Sequence, residues 1–258
     1  MTTLQQIELR CPVCETRFRS QAVVSTNSFG GKRTDFHERA AGTQPLPYLV
    51  HMCGRCGYAG AERDFADEAA AEVSPTVKEH VWAELAPVLP TLARATQGGQ
   101  ADQAGPSMQG AHASPASQAM RGQQPVSTAN PAFPGSEKYE AAAKVAEWQG
   151  AEPRHVADLL LRAAWCCVDE GDVEAERFFR RKAAWAFERA LASYDGVSRD
   201  ERAVLTYLVG ELWRRVGDAT RAAEWFEKVT GEIVDAAGQQ WVVDAARQQR
   251  DCPREWFG

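Results

Sequence analysis

Two cysteine pairs near the N-terminus constrain the fold of this chain more than any other feature. The first pair is Cys11-Pro12-Val13-Cys14, and the second is Cys53-Gly54-Arg55-Cys56, followed by Gly57. Two thiolates that lie two residues apart on a tight turn can face one ion, so two such turns supply the four soft ligands of a tetrahedral zinc site. Gly57 suits a turn that requires a positive φ. The sequence therefore predicts one zinc ion bound by Cys11, Cys14, Cys53 and Cys56.

The segment around these cysteines has the size and pattern of a small metal-stapled unit. Apolar and polar residues alternate over 7–10, and Tyr48–Met52 leads into the second pair, so both approaches resemble short strands. A fold of this size with few large apolar side chains is only marginally stable unless a crosslink such as a bound metal ion supports it. Structural zinc contributes roughly 10–16 kcal/mol in small metal-dependent units. We therefore predict a zinc-ribbon-like unit over residues 1–68, in which a fully ligated zinc is structural and leaves no open position for catalysis.

Other interpretations of the cysteines stay open at this point. A dithiol redox pair, an iron–sulfur cluster or unrelated thiols would each leave the same pattern. His37 and His51 lie in the same segment and could replace a cysteine as a ligand. Cys166 and Cys167 lie within a helical pattern, where a thiol acts as a small apolar side chain, and Cys252 is near the C-terminus. None of these three is predicted to be catalytic.

Composition divides the rest of the chain. The 258 residues carry a formal net charge of −6, which is typical of a soluble globular protein. No apolar run approaches the ~20 residues that span a bilayer, and no secretory signal is recognisable at the N-terminus, so we expect a cytoplasmic protein without a membrane segment. A helix is predicted to start at Ser74-Pro75 within a connecting segment 69–96. Residues 97–135 are mostly Ala, Gln, Gly, Pro and Ser, which predicts a flexible linker or insertion.

Residues 136–258 have helical spacing throughout. Tetratricopeptide repeats are indicated by Val209-Gly210-x-x-Trp213, Gly217-Asp218 and Ala222-x-x-x-Phe226, since a small residue such as Gly210 lets a neighbouring helix approach closely. The two Gly-Asp pairs are 46 residues apart rather than 34, so these repeats are degenerate. The fold class is therefore predicted as α+β and mostly α, with a helical-hairpin, tetratricopeptide-like domain after the ribbon. Six helices are predicted, at 137–149, 154–169, 173–194, 199–216, 219–230 and 233–250.

A stack of helical hairpins usually presents a face to a protein or peptide partner. In this pattern that face would carry Tyr207, Glu211 and Arg214, although these could equally be ordinary surface residues. Arg180-Arg181-Lys182 could bind an acidic partner, but a solvated face is the simpler interpretation. The domain has 18 basic and 23 acidic residues, which does not favour nucleic acid.

The motifs together resemble a bacterial family, the domain of unknown function 2225 family, over most of residues 7–80 and 136–250. The resemblance implies a zinc-ribbon-like unit joined to a tetratricopeptide-like unit in a bacterial cytoplasmic protein, without an established activity. Glu15 departs from the Gly that often follows a zinc knuckle. The residues that carry the resemblance are Cys11-Pro12-Val13-Cys14, Phe18, Thr34-Asp35-Phe36, Pro47-Tyr48, Cys53-x-x-Cys56-Gly57-Tyr58-Ala59, Asp64-Phe65 and Tyr207-Leu208-Val209-Gly210-Glu211-Leu212-x-Arg214-Arg215-x-Gly217.

The leading functional hypothesis is a non-enzymatic zinc-binding adaptor, since no phosphate-binding loop, dinucleotide fingerprint or nucleophile elbow is recognisable. One alternative is nucleic-acid binding by basic residues of the ribbon. Another is a redox sensor in which Cys11 joins Cys14 and Cys53 joins Cys56. For an enzyme, His37, Asp35 and His51 would be the nearest candidates. The basic residues of the nucleic-acid alternative are Arg10, Arg17, Arg19, Lys32, Arg33, Arg39 and Arg55.

Overall fold

A computed structural model describes residues 1–66, 73–89, 133–193, 197–232 and 239–257. Two small antiparallel sheets form the N-terminal unit: β1 (Thr3–Arg10) pairs with β2 (Arg17–Ser25), and β3 (His51–Met52) pairs with β4 (Ala59–Gly60). The predicted strand over 48–52 is confirmed only at its end. Leu46–Tyr48 forms a 3₁₀ turn instead, because prolines at 45 and 47 restrict φ and remove amide donors there.

The helical part follows the predicted pattern closely. Ser74 caps α1 (Pro75–His80) by accepting from the amide of Val77, and a π turn over Val81–Leu85 continues this helix. The remaining helices are α2 (Gly135–Trp148), α3 (Pro153–Glu170), α4 (Val173–Ala192), α5 (Arg199–Val216), α6 (Ala219–Glu232) and α7 (Gln240–Asp251). Each packs against the next along the chain. The predicted class, α+β and mostly α, is confirmed.

Two Gly-Asp pairs close hairpins in the stack. Gly171 and Gly217 end α3 and α5 with φ of 78° and 95°, which is the left-handed region that favours glycine. Asp172 then accepts from the amide of Ala175 at 3.0 Å, and Asp218 accepts from the amide of Arg221 at 3.0 Å. Each Gly-Asp pair therefore stops one helix and caps the next.

Close helix packing at Gly210 is confirmed. A methyl group at this position of α5 would lie 2.8 Å from the ring of Phe226 on α6. The small residue therefore lets the two helices approach, as the sequence predicts. The assignment of these helices to tetratricopeptide repeats stays a prediction.

The ribbon and the helices share one apolar core. The first residue of α2, Gly135, packs against Pro47 of the ribbon and against the thiol of Cys166 on α3. Tyr139 on α2 donates to the carbonyl of Leu46 at 3.1 Å. Within the described residues, the N-terminal unit that carries the two cysteine pairs is therefore built onto the start of the helical stack.

Some predicted segments fall partly outside the described residues. The linker predicted over 97–135 lies outside them up to 132, and Phe133 is already buried against the helices. Residues 69–72 and 90–96 of the connecting segment, and 233–238 of the sixth predicted helix, also lie outside. In the described ranges no helix combines the length and the apolar character needed to cross a bilayer.

Candidate metal centre

The two cysteine pairs come together at the ends of the two sheets. Cys11 follows β1 directly, and Cys53 follows β3. In the first knuckle the carbonyl of Cys11 accepts from the amide of Glu15 at 2.9 Å, and in the second the carbonyl of Cys53 accepts from the amide of Gly57 at 2.9 Å. The two knuckles therefore repeat one backbone turn, although Cys11 and Cys56 are 45 residues apart in sequence.

Both turns end on a residue with positive φ. Gly57 has a φ of 83° and Glu15 a φ of 60°. Glu15 thus adopts the left-handed conformation that glycine would adopt more easily. The departure from glycine at this position does not change the turn. At Gly57 space is also restricted, because a methyl group there would lie 2.7 Å from Cβ of Leu85 after α1.

The four sulfur atoms form a compact cluster. All four Sγ atoms lie within 4.8 Å of one another. The Sγ atoms of Cys11 and Cys56 are 3.5 Å apart, and those of Cys14 and Cys53 are 3.6 Å apart. A zinc ion about 2.3 Å from each of four sulfurs gives sulfur–sulfur separations of about 3.8 Å. These separations fit a tetrahedral metal site and are too long for disulfide bonds.

Burial and charge also favour a cation at this position. Cys11, Cys53 and Cys56 are fully buried, and Cys14 is half-buried. Hydrogen bonding with the Cys11 thiol raises the pKa of Cys56 and lowers the pKa of Cys14. A group of buried thiols cannot all ionise unless a positive charge compensates them. The chemistry of the donor set therefore fits a soft divalent cation such as zinc.

The histidines take other positions. The buried ring of His51 has Nδ1 2.8 Å from Oγ of Ser20, and burial lowers its pKa to about 4. His37 stacks on Trp165 of α3 at a centroid distance of 5.2 Å. Neither joins the cysteine cluster among the described residues. The other cysteines are also separate from it: Cys166 and Cys167 are buried, and Cys252 is exposed.

The predicted partner face is occupied by the chain's own segments. Tyr207 and Glu211 on α5 are fully buried. Tyr207 donates to the carbonyl of Thr34 at 2.9 Å, and Glu211 accepts from the Thr34 hydroxyl at 2.6 Å. Arg214 is half-buried and pairs with Glu255 near the C-terminus at 3.0 Å. A partner would have to displace these segments to reach all three residues, so their partner-binding role stays a prediction.

A buried charged cluster, which the sequence does not predict, holds the loop after β2 on the helices. The carboxylate of Asp35 is fully buried and pairs with Arg180 of α4 at 2.5 Å, and Arg215 of α5 lies 4.0 Å away. Trp165 donates to the same carboxylate at 3.1 Å. Burial would raise the pKa of Asp35, but the Arg180 and Arg215 guanidiniums outweigh it and hold the pKa below its usual range. Asp35 is therefore ionised and fastens the loop.

The C-terminal segment closes over this loop. The amide of Thr34 donates to the carbonyl of Glu255 at 3.1 Å, and the amide of Phe257 donates to the carbonyl of Lys32 at 3.0 Å. The carboxylate of Glu255 also pairs with Arg33 at 3.2 Å. Thr34-Asp35-Phe36 and Tyr207–Arg215 both belong to the motifs of the family resemblance, but their pairing is not visible in one sequence.

The comparison with known families agrees with these motifs. A family model described as "Uncharacterized protein conserved in bacteria (DUF2225)" matches residues 4–98 and 123–252, which is most of the chain. The chain matches no curated protein and no solved structure. The chain belongs to the DUF2225 family, as the resemblance predicts.

Proposed function

We propose that this member of the DUF2225 family is a non-enzymatic zinc-binding adaptor, in which structural zinc holds the ribbon as the end unit of a helical, tetratricopeptide-like protein-binding stack. The observation that carries the proposal is the cluster of four sulfurs, within 4.8 Å of one another, in the core that the ribbon shares with the helices. Loss of zinc from this position would release the first layer of the stack. The metal would thus control the shape of the interaction surface.

A closed site supports an adaptor more than an enzyme. Four thiolates complete the coordination of zinc, so no position is left for water or substrate. The side chains that could act in catalysis are not accessible: Asp35 is ion-paired with arginines, and His37 and His51 are buried. An enzyme in this part of the chain would need an accessible base or nucleophile.

Nucleic-acid binding by the ribbon has less support. Five of its seven candidate basic residues are ion-paired within the chain. Arg33 pairs with Glu255 and Arg39 with Asp169, the latter at 2.8 Å. Paired guanidiniums offer little net charge to a phosphate backbone. The redox alternative predicts bonds within each cysteine pair, whereas the two short sulfur–sulfur distances above join one knuckle to the other.

Affinity capture from a native bacterial host tests the adaptor role. We would compare the wild-type chain with Cys53→Ser, which removes a ligand, and with Cys252→Ser, which changes an exposed thiol outside the cluster. The proposal predicts that the same proteins are captured by wild type and Cys252→Ser and are lost with Cys53→Ser. If no protein is captured by the wild type above the level of an unrelated bait, the adaptor role is wrong.

A further inference from the structure

One face of α4 presents aromatic and basic side chains to solvent, side by side. Phe178 and Trp185 are 49% and 47% exposed and lie within two turns of each other on this helix. Arg177 and Arg181 are exposed on the same side of the helix. Residues 177, 181 and 185 are spaced by four and therefore form one row along the helix. We call the surface of Arg177, Phe178, Arg181 and Trp185 the α4 face.

The helix periodicity separates this face from the core. Arg180, next to Arg181 in sequence, is fully buried and pairs with Asp35. Arg181 is exposed, and within the described residues neither Arg181 nor Arg177 has an ion-pair or hydrogen-bond partner. Of the two consecutive arginines, one is thus structural and the other is free. The free arginines are available to a ligand.

Contacts with neighbouring side chains hold the two aromatic rings in place. Trp185 packs edge-on against the buried ring of Trp213 on α5, at a centroid distance of 5.9 Å. The Lys182 ammonium lies 4.8 Å from the centroid of the Phe178 ring. Side chains that are already fixed lose little conformational entropy when a partner covers them. The α4 face therefore has the features of a preorganised binding surface.

The neighbouring charges limit the kind of partner. Lys182 pairs with Glu140 of α2 at 3.0 Å, and Arg189 pairs with Glu147 at 3.6 Å, so other basic groups near the face are already compensated. Two uncompensated guanidiniums remain beside two aromatic rings. The surrounding carboxylates and the net charge of −6 would repel the long anionic surface of a nucleic acid or a membrane. Glu174 is also exposed one turn earlier on this side of the helix, so a short acidic segment would have to place its carboxylates at the two arginines.

From this pattern we infer that the α4 face binds an acidic protein segment that carries at least one large apolar side chain. Carboxylates of the partner pair with Arg177 and Arg181, whose planar guanidiniums can bind them in bidentate geometry. The apolar side chain covers Phe178 and Trp185. The α4 face extends about 12 Å along the helix, from residue 177 to residue 185, which matches a partner helix of about two turns. The inference rests on the proposed adaptor function and names the chemistry of its partner.

Selection from a peptide library tests the inference directly. The zinc-bound, full-length chain is used to select binders from displayed random 16-residue peptides, and the strongest peptide is synthesised with a fluorophore for polarisation titrations. We expect recovered peptides to be rich in Asp and Glu and to contain aromatic or aliphatic residues. Binding should weaken at least about tenfold in Arg177→Glu/Arg181→Glu and in Phe178→Ala/Trp185→Ala. It should persist in Arg247→Glu/Arg250→Glu, a charge reversal on α7.

Several results would overturn the inference. These are recovery of no peptide, recovery of peptides without acidic enrichment, and binding that is unchanged in both α4 variants. Tighter binding of a 20-nucleotide oligothymidylate, or of vesicles with 30% phosphatidylglycerol, through the same four residues would assign the face to another class of ligand. Far-UV circular dichroism checks that each variant is folded, which we expect because all four side chains are exposed.

The same variants separate this inference from the adaptor proposal. If Arg177→Glu/Arg181→Glu still captures the proteins that wild type captures, the α4 face is not the binding surface, but the adaptor role stands. If wild type captures nothing, the adaptor role itself is wrong.

Discussion

Removing the charge of Asp35 tests whether the buried ion pair holds the N-terminal loop on the helices. In Asp35→Asn the shape of the side chain is kept, and an amide oxygen can still accept from Trp165. Arg180, however, is fully buried and loses the carboxylate that compensates its charge. Breaking a buried ion pair by removing one partner costs about 3–5 kcal/mol. Arg180 keeps Glu176 at 2.8 Å, so we expect the lower end, about 3 kcal/mol.

Urea unfolding of the zinc-bound chain, followed by tryptophan fluorescence and circular dichroism, measures this loss. Because domains are stable by only about 5–15 kcal/mol, the unfolding midpoint should fall clearly. Asp251→Asn is the matched control, since its carboxylate is exposed, and its midpoint should be unchanged. The double variant Asp35→Leu/Arg180→Met should regain most of the stability, because apolar residues can replace a buried pair. If Asp35→Asn lowers the free energy of unfolding by less than about 1 kcal/mol, the argument is refuted.

Three further predictions concern single positions. Gly57→Ala should lower the free energy of unfolding by about 2–4 kcal/mol, because the new methyl group strains a residue with positive φ and contacts Leu85. It should also weaken zinc retention in a chelator competition. Retention equal to that of the wild type would contradict the close approach of Leu85 to this turn. Glu15→Gly should stabilise the chain by about 1 kcal/mol in urea unfolding, and Glu15→Ala should give no such gain. Burial lowers the pKa of His37 to about 4, below its unfolded value near 6.5. The contribution of the neutral His37 ring to the free energy of unfolding is therefore complete above pH 6.5 and is lost as the pH falls toward 4. Between pH 7 and pH 5 this loss lowers the free energy of unfolding by about 2 kcal/mol. His37→Phe should keep the stacking on Trp165 and remove this part of the pH dependence, whereas an unchanged slope would show that His37 is not the titrating group.

Local signals were sufficient to predict the helices and the metal cluster. Helix ends follow from features read within a few residues, such as Ser74-Pro75 and the two Gly-Asp pairs. The four sulfurs could be assigned to one site because the ligand spacing of a zinc knuckle is itself local. The unusual Glu15 did not prevent the turn, because its backbone adopts the left-handed conformation with a φ of 60°.

The contacts between the loop and the helices could not be predicted from one sequence. Asp35 and Arg180 are 145 residues apart, and a charged residue is usually exposed. One signal was available: Arg180 lies on the same side of α4 as the buried residues Ala183 and Phe187. Helix phase alone, however, does not identify the residue that compensates such a charge. Tyr207 and Glu211 are likewise hydrogen-bonded to Thr34, which is more than 170 residues away in sequence.

The metal content of the purified chain tests the central claim most directly. Native mass spectrometry, combined with X-ray absorption at the zinc edge, gives both the stoichiometry and the ligands. We predict one zinc ion per chain with four sulfur neighbours at about 2.3 Å, and three sulfur neighbours or no zinc in Cys53→Ser. A wild-type chain that folds with no bound metal, or whose zinc has mainly nitrogen and oxygen neighbours, would contradict this account.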